Sequence, residues 1–150
     1  MTTTSVSTTN FETSISMSFE TILQKLGIGE GWVKKGGSWF IVTDTVNARS
    51  AAQIMVAHDA RLATISSFET EDGEVLLDYH WSLYGTLVTI EISTKDKQIN
   101  SIADIFLGAD WVEREIHDYW MVEFPDRVDT KRLVTREGTP QGMFCKGGAK

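Results

Sequence analysis

The stretch from Trp111 to Trp120, WVEREIHDYW, gathers the side chains best suited to chemistry: two glutamates, an arginine, a histidine and an aspartate between two tryptophans. Glu113 and Glu115 suggest a general acid and base. On a helix, however, residues two apart point about 200° away from each other, so these carboxylates do not converge on one substrate atom. His58, His80 and His117 are scattered, and no His-Glu-x-x-His pattern gathers zinc ligands. Ser66 and Ser67 stand outside any nucleophile elbow. Cys145, in a Gly- and Lys-containing terminal stretch, reads as a mobile unpaired thiol. Gly36-Gly37 lacks the Gly-Lys-Ser/Thr of a phosphate loop and precedes a strand. No catalytic, cofactor-binding or metal site is expected in this chain.

Composition narrows the classes further. The 150 residues suit one domain, long enough to bury roughly two thirds of the surface its unfolded chain exposes. A formal charge of -7 argues against a nucleic-acid partner, because phosphate binding needs a basic stripe. No apolar run approaches the ~18 residues of a membrane span, so membrane association is expected through partners. A single cysteine rules out an internal disulfide framework and a Cys-clustered metal site, which suits a reducing compartment.

The elements that must position these side chains follow from periodicity and punctuation. Residues 1–17 are rich in Ser and Thr and read as a flexible tail, or as one ordered by a partner through the alternation Phe11, Thr13, Ile15 and Met17. Phe19, Ile22, Leu23 and Leu26 recur at helical spacing between a Ser18 cap and Gly27. KKGGSWFIVT reads as a turn entering a strand, and DTVNARSAAQIMVAHDA as a helix packed on a sheet. RLATISSFET, EVLLDYHWSL and GTLVTIEIST form three strand candidates with short connections, favouring an antiparallel meander. NSIADIF suggests a short helix before Gly108. The expected fold is α+β: a small, mainly antiparallel sheet covered by helices on one face, with an extended C-terminal arm leaving the body. Residues 18–134 form the domain with its arm, and 135–150 a C-terminal tail.

At about 100° per residue, Val112, Ile116 and Tyr119 share a face suited to the core. Trp111, Arg114, Glu115 and Asp118 share the opposite face. Arg114 with Asp118, and Glu113 with His117, have the i,i+4 spacing of ion pairs. Trp111 among directional charges suits an interface anchor.

The order ADWVEREIHDYWMVEFPDRVDTKRLV resembles the signature of the NADH dehydrogenase 30 kDa subunit family, shared by respiratory complex I and membrane-bound energy-converting nickel–iron hydrogenases. Glu113-Arg114-Glu115, Asp118, Tyr119-Trp120, then Arg127, Lys131 and Leu133-Val134 stand at the family spacing. Trp120 replaces a smaller residue, Arg127 replaces His or Lys, and DRVD replaces the Gly-His-Pro-Asp-like turn of respiratory members. The likeness is firmest after about Arg61.

The resemblance implies a peripheral subunit on the cytoplasmic side of a membrane complex, without a redox centre of its own. It would pack against a hydrogenase-like large subunit and an iron–sulfur small subunit, and meet the membrane arm through the assembled complex. Iron–sulfur clusters and the nickel–iron centre would sit in those partners. Trp111, Glu113, Arg114, Glu115, Asp118, Arg127, Lys131 and Arg132 would bind partners or orient the interface. The departing turn, and an end soon after Val134, point to the hydrogenase branch. The alternative is the equivalent 30 kDa subunit of an NADH- or other donor:quinone oxidoreductase. An independent protein-binding regulatory module is a third reading. Arg114→Ala is expected to weaken assembly more than folding.

Overall fold

The computed structural model describes residues 31–44, 46–94, 96–129 and 131–148, together with Thr21. The expected 1–17 tail and, Thr21 apart, the helix from Ser18 to Gly27 lie outside the described residues. The elements are β1 (Val33–Lys35), β2 (Ser38–Thr43), α1 (Ala48–Ala57), β3 (Arg61–Glu69), β4 (Val75–Leu83), β5 (Thr86–Ser93) and α2 (Ala109–Trp120). The strands form one sheet in the order β1-β2-β5-β4-β3.

Local chemistry explains the joints. Lys35 pairs with Ser38, so Gly36 and Gly37 are the two central residues of a hairpin, both at positive φ; two-residue loops matched to strand twist require that conformation. Tyr84 and Gly85 do the same between Leu83 and Thr86. The meander β3-β4-β5 is antiparallel as expected. β2 runs parallel to β5, because α1 carries the chain from β2 to the far edge of the sheet. Asn47 starts α1 by accepting the Arg49 N–H at 2.8 Å, the capping role its short polar side chain suits.

Strict alternation along β4 divides the sheet into two faces. Val75, Leu77, Tyr79, Trp81 and Leu83 are all buried, and Ile41, Val88, Ile90 and Ile92 join them from β2 and β5. Ala48, Ala51, Ala52 and Met55 of α1 complete this core. Each large side chain withdrawn in this way contributes about 1.5–3 kcal/mol.

Two expectations change. Residues 100–106 form a turn rather than a helix: Phe106 N–H reaches the Ile102 carbonyl at 2.8 Å, while Ser101, Ile102 and Ala103 N–H groups go to side-chain acceptors. The chain has room there for one turn only before α2. The segment after α2 is irregular, but it does not leave the body. Met121 in the left-handed conformation ends the helix and turns the chain back. Gly142 and Phe144 N–H groups then bond the Asp118 and Tyr119 carbonyls at 3.0 and 3.1 Å, and Phe144 stacks on Tyr119 with ring centroids 4.4 Å apart. Gly142 is favoured there by its left-handed backbone, φ 76°, and its missing Cβ leaves room for the Met121 side chain. Cys145, expected to be mobile, lies 3.2 Å from Lys97 Nζ and 3.3 Å from the Trp120 carbonyl.

Candidate functional site

α2 packs beside β3, with Ile116 buried and Val112 and Tyr119 half-buried, in line with the seam read from its spacing. Its charged residues behave differently from that reading. Glu113 and Asp118, acidic residues that helical spacing sets on different sides, are both 0% exposed. Each is the centre of a clamp.

Glu113 accepts the Ser101 hydroxyl, the Ile102 N–H at 2.8 Å and Arg127 Nη1 at 2.9 Å. Burial pushes its carboxyl above the usual range, and the pull of Ser101, Ile102 and Arg127 does not fully offset that. Arg127, with a side chain only 6% exposed, also holds the carbonyl and carboxylate of Asp110 in the first turn of α2. A second link runs through Asp126, which accepts Ser101 N–H at 2.7 Å and lies 3.5 Å from Arg49, itself paired with Asp104.

Asp118 clamps the returning chain. Its Oδ2 accepts the N–H groups of Leu133, Val134 and Thr135 at 3.1, 2.9 and 3.2 Å, and its Oδ1 accepts Arg132 Nε at 3.2 Å. Burial raises this carboxyl, but the Val134 and Thr135 N–H groups, with Arg132 and Leu133, outweigh burial and hold it below the ordinary aspartate value. Arg114 adds a parallel strut, donating to the Lys131 carbonyl at 2.9 Å and the Arg132 carbonyl at 3.4 Å.

The i,i+4 pairs expected from helical spacing are therefore rearranged. Asp118 pairs with Arg132 instead of Arg114, and Glu113 with Arg127 instead of His117. Arg114 approaches Asp110 at 3.9 Å, and His117 Nδ1 faces the Val122 carbonyl. The physical reason is that the returning segment brings backbone donors and a second arginine to carboxylates that an isolated helix would leave in water. Buried carboxylates take the most complete set of partners on offer.

Trp111, Glu115 and Lys131 remain exposed, Trp111 by 67%. Leu107, 84% exposed, precedes α2 by two residues, and fully exposed Val128 follows the clamping Arg127. Large apolar side chains thus stand around the N-terminal end of a helix fixed by two ion-paired clamps. Ser101, Asp110, Asp126 and Arg49, which sequence reasoning missed, belong to that scaffold. Only the acidic spacing around Asp110 hinted at them, since Arg49 meets the Ser101 carbonyl across 52 residues.

Among the described residues, no three His, Cys, Asp or Glu side chains converge as a metal-ligating group. No described helix is long and apolar enough to cross a membrane.

Residues 41–143 match the family model described as the respiratory-chain NADH dehydrogenase 30 kDa subunit. The C subunit of the NADH-quinone oxidoreductase of Chloroherpeton thalassium is 30% identical over 105 residues, covering 63% of this chain and 44% of that protein. Its counterpart in Francisella tularensis subsp. holarctica is 33% identical over 54 residues, 34% of this chain and 25% of that protein. The chain thus spans less than half the length of these curated relatives. Among solved structures, a chain of the membrane-bound sulfane sulfur reductase, an archaeal respiratory membrane complex, shares the fold with a TM-score of 0.72 at 21% identity, covering 87% of this chain and 82% of that one. A trypsin-resistant fragment of Nqo5 shares it with a TM-score of 0.60 at 16% identity, covering 77% and 98%.

Proposed function

The chain belongs to the respiratory-chain NADH dehydrogenase 30 kDa subunit family, and from that premise we propose that it is a non-catalytic assembly subunit of an energy-converting membrane complex of the nickel–iron hydrogenase type. It sits peripherally on the cytoplasmic side. It packs against the hydrogenase-like large subunit and the iron–sulfur small subunit, and meets the membrane arm through them. The iron–sulfur clusters and the nickel–iron centre belong to those partners. Electron transfer there is coupled to ion translocation in the membrane arm.

The observation that carries the assembly role is Trp111, 67% exposed on a helix whose buried carboxylates, Glu113 and Asp118, are clamped from inside. A rigid support lowers the ordering cost of an aromatic anchor, and such anchors dominate interface energetics. Glu113, Asp118, Arg127 and Arg132 orient the surface through their internal bonds. Trp111, Glu115 and Lys131 are the members of the motif that reach outward. Support for the hydrogenase branch comes from Asp126-Arg127-Val128-Asp129, which departs from the respiratory turn. The second reading, the 30 kDa subunit of a donor:quinone oxidoreductase, is favoured by the names of both curated relatives.

Affinity isolation of the chain from native membranes tests these readings. A large subunit with nickel–iron ligands and an iron–sulfur small subunit are expected in stoichiometric amounts. A set of NADH- or quinone-linked subunits supports the second reading instead. A stable monomer that brings down neither class of partner makes the chain an independent regulatory module and overturns the proposal.

A further inference from the structure

The sheet has a second face, opposite the one that carries the core. Register places its residues in rows across the strands: Phe40, Thr89, His80 and Thr64; then Val42, Glu91, Asp78 and Ser66; then Ser93, Leu76 and Phe68. A sheet face left to water is normally polar. Here Val42 is 59% and Phe68 40% exposed, with half-buried Phe40 and Leu76 beside them.

Asp78 and Glu91 stand directly opposite each other on the adjacent strands β4 and β5, in the middle of this face. Like charges in that relation repel. Burial raises both carboxyls, Asp78 raises Glu91 further through its charge and a side-chain hydrogen bond between the two, and the pull of nearby His80 together with that hydrogen bond offsets the burial of Asp78 only in part. The imidazole does not bridge them: His80 directs Nε2 to the Ser66 hydroxyl at 2.9 Å and Nδ1 to the Thr89 hydroxyl at 2.8 Å. Among the described residues no ion pair includes Asp78 or Glu91, and Asp78 Oδ1 has no hydrogen-bond partner.

We propose that this face is a second docking surface, occupied by a neighbouring protein subunit that presents a cationic side chain to Asp78 and Glu91 within an apolar surface that covers Val42 and Phe68. Charge complementarity specifies the cation, since neither of the two apposed carboxylates is ion-paired within the described residues. Exposed Val42 and Phe68 on either side require apolar cover, which a protein surface supplies. The arrangement trades stability of the free chain for specificity in the assembly, because the two carboxyls, although they hydrogen-bond each other, gain a cation only from the partner. The inference rests on the reading of the chain as a subunit of a larger complex. It adds a contact on the face opposite α1.

The double substitution Asp78→Asn with Glu91→Gln keeps shape and removes charge. The chain purified alone is expected to melt at the same or a higher temperature. In membranes that carry the complex, retention of the variant should fall at least about tenfold. Val42→Thr, an uncharged β-branched replacement at an exposed position beside Glu91, should also lower retention without lowering the melting temperature. Undiminished retention of both variants overturns the proposal, and so does a loss of retention matched by destabilisation of the free chain. Trp111→Ala separates the two surfaces. If it alone weakens retention, this inference fails while the assembly reading stands, and a wild-type chain that copurifies with no other subunit removes both.

Discussion

Two regions among the described residues each withdraw a pair of carboxylates from water, and they treat them in opposite ways. On α2, Glu113 and Asp118 are wholly buried and saturated with donors from the turn at 101–102 and from the returning C-terminal segment. On the outer sheet face, Asp78 and Glu91 are only half-buried, yet they face each other without an ion-paired cation. Depth of burial does not distinguish a stabilising carboxylate from a costly one. The partner set does, because a charge leaving water needs its hydration replaced group by group.

The largest effect is expected where the partner set is most complete. Asp118→Ala strips an acceptor from Arg132 and three backbone N–H groups at once and should cost about 3 kcal/mol in denaturant unfolding. It should also release the segment after α2, seen as faster proteolysis near Arg132 and Arg136. Glu113→Gln keeps the shape and part of the hydrogen bonding, so a loss of about 1–2 kcal/mol is expected by the same measurement. A loss as large as that of Asp118→Ala would break the ranking.

Acid sharpens the contrast at Asp118, whose shift is opposite in sign to those of Asp78 and Glu91. The folded-state value of Asp118 lies below the ordinary 3.8. Its stabilisation is complete above that value and disappears as the pH falls through the lowered one. The stability gap between wild type and Asp118→Asn should therefore be flat at neutral pH and shrink below about pH 4. Asp78 and Glu91 are raised above 3.8 and 4.5. Their neutral forms favour the fold, and that contribution is lost as the pH rises through the raised values. The advantage over wild type of the double variant Asp78→Asn with Glu91→Gln, about 0.5 kcal/mol, should thus appear at neutral pH and vanish in acid. Matching pH profiles of the two gaps would contradict the comparison.

The smallest effect on stability is expected at the exposed anchor. Trp111→Ala should shift unfolding by less than about 0.5 kcal/mol, while weakening recovery of the assembled complex. Arg114→Ala separates folding from assembly less cleanly, because the guanidinium also holds the Lys131 and Arg132 carbonyls.

The meander, the glycine hairpin and α1 were legible because each is local: alternation, a Gly36-Gly37 turn and an Asn47 cap act within a few residues. The parallel contact between β2 and β5 was not, since nothing in either strand encodes its neighbour across the α1 crossover. At the site, the family pattern marked Glu113, Arg114, Asp118 and Arg127 as a group. Helical spacing then paired them wrongly, because it sees only neighbours on one helix.

The sequence by itself determined the α+β class, the strand alternation that gives the sheet two unlike faces, and the family to which the motif belongs. Tertiary structure alone decided which carboxylates are saturated and which are left facing one another. Hydrogen-bond partners for Glu113 and Asp118 come from 11 to 17 residues away, and the Asp78–Glu91 contact exists only through strand register. Partner sets of that kind depend on where the chain returns in space, a property no local spacing contains.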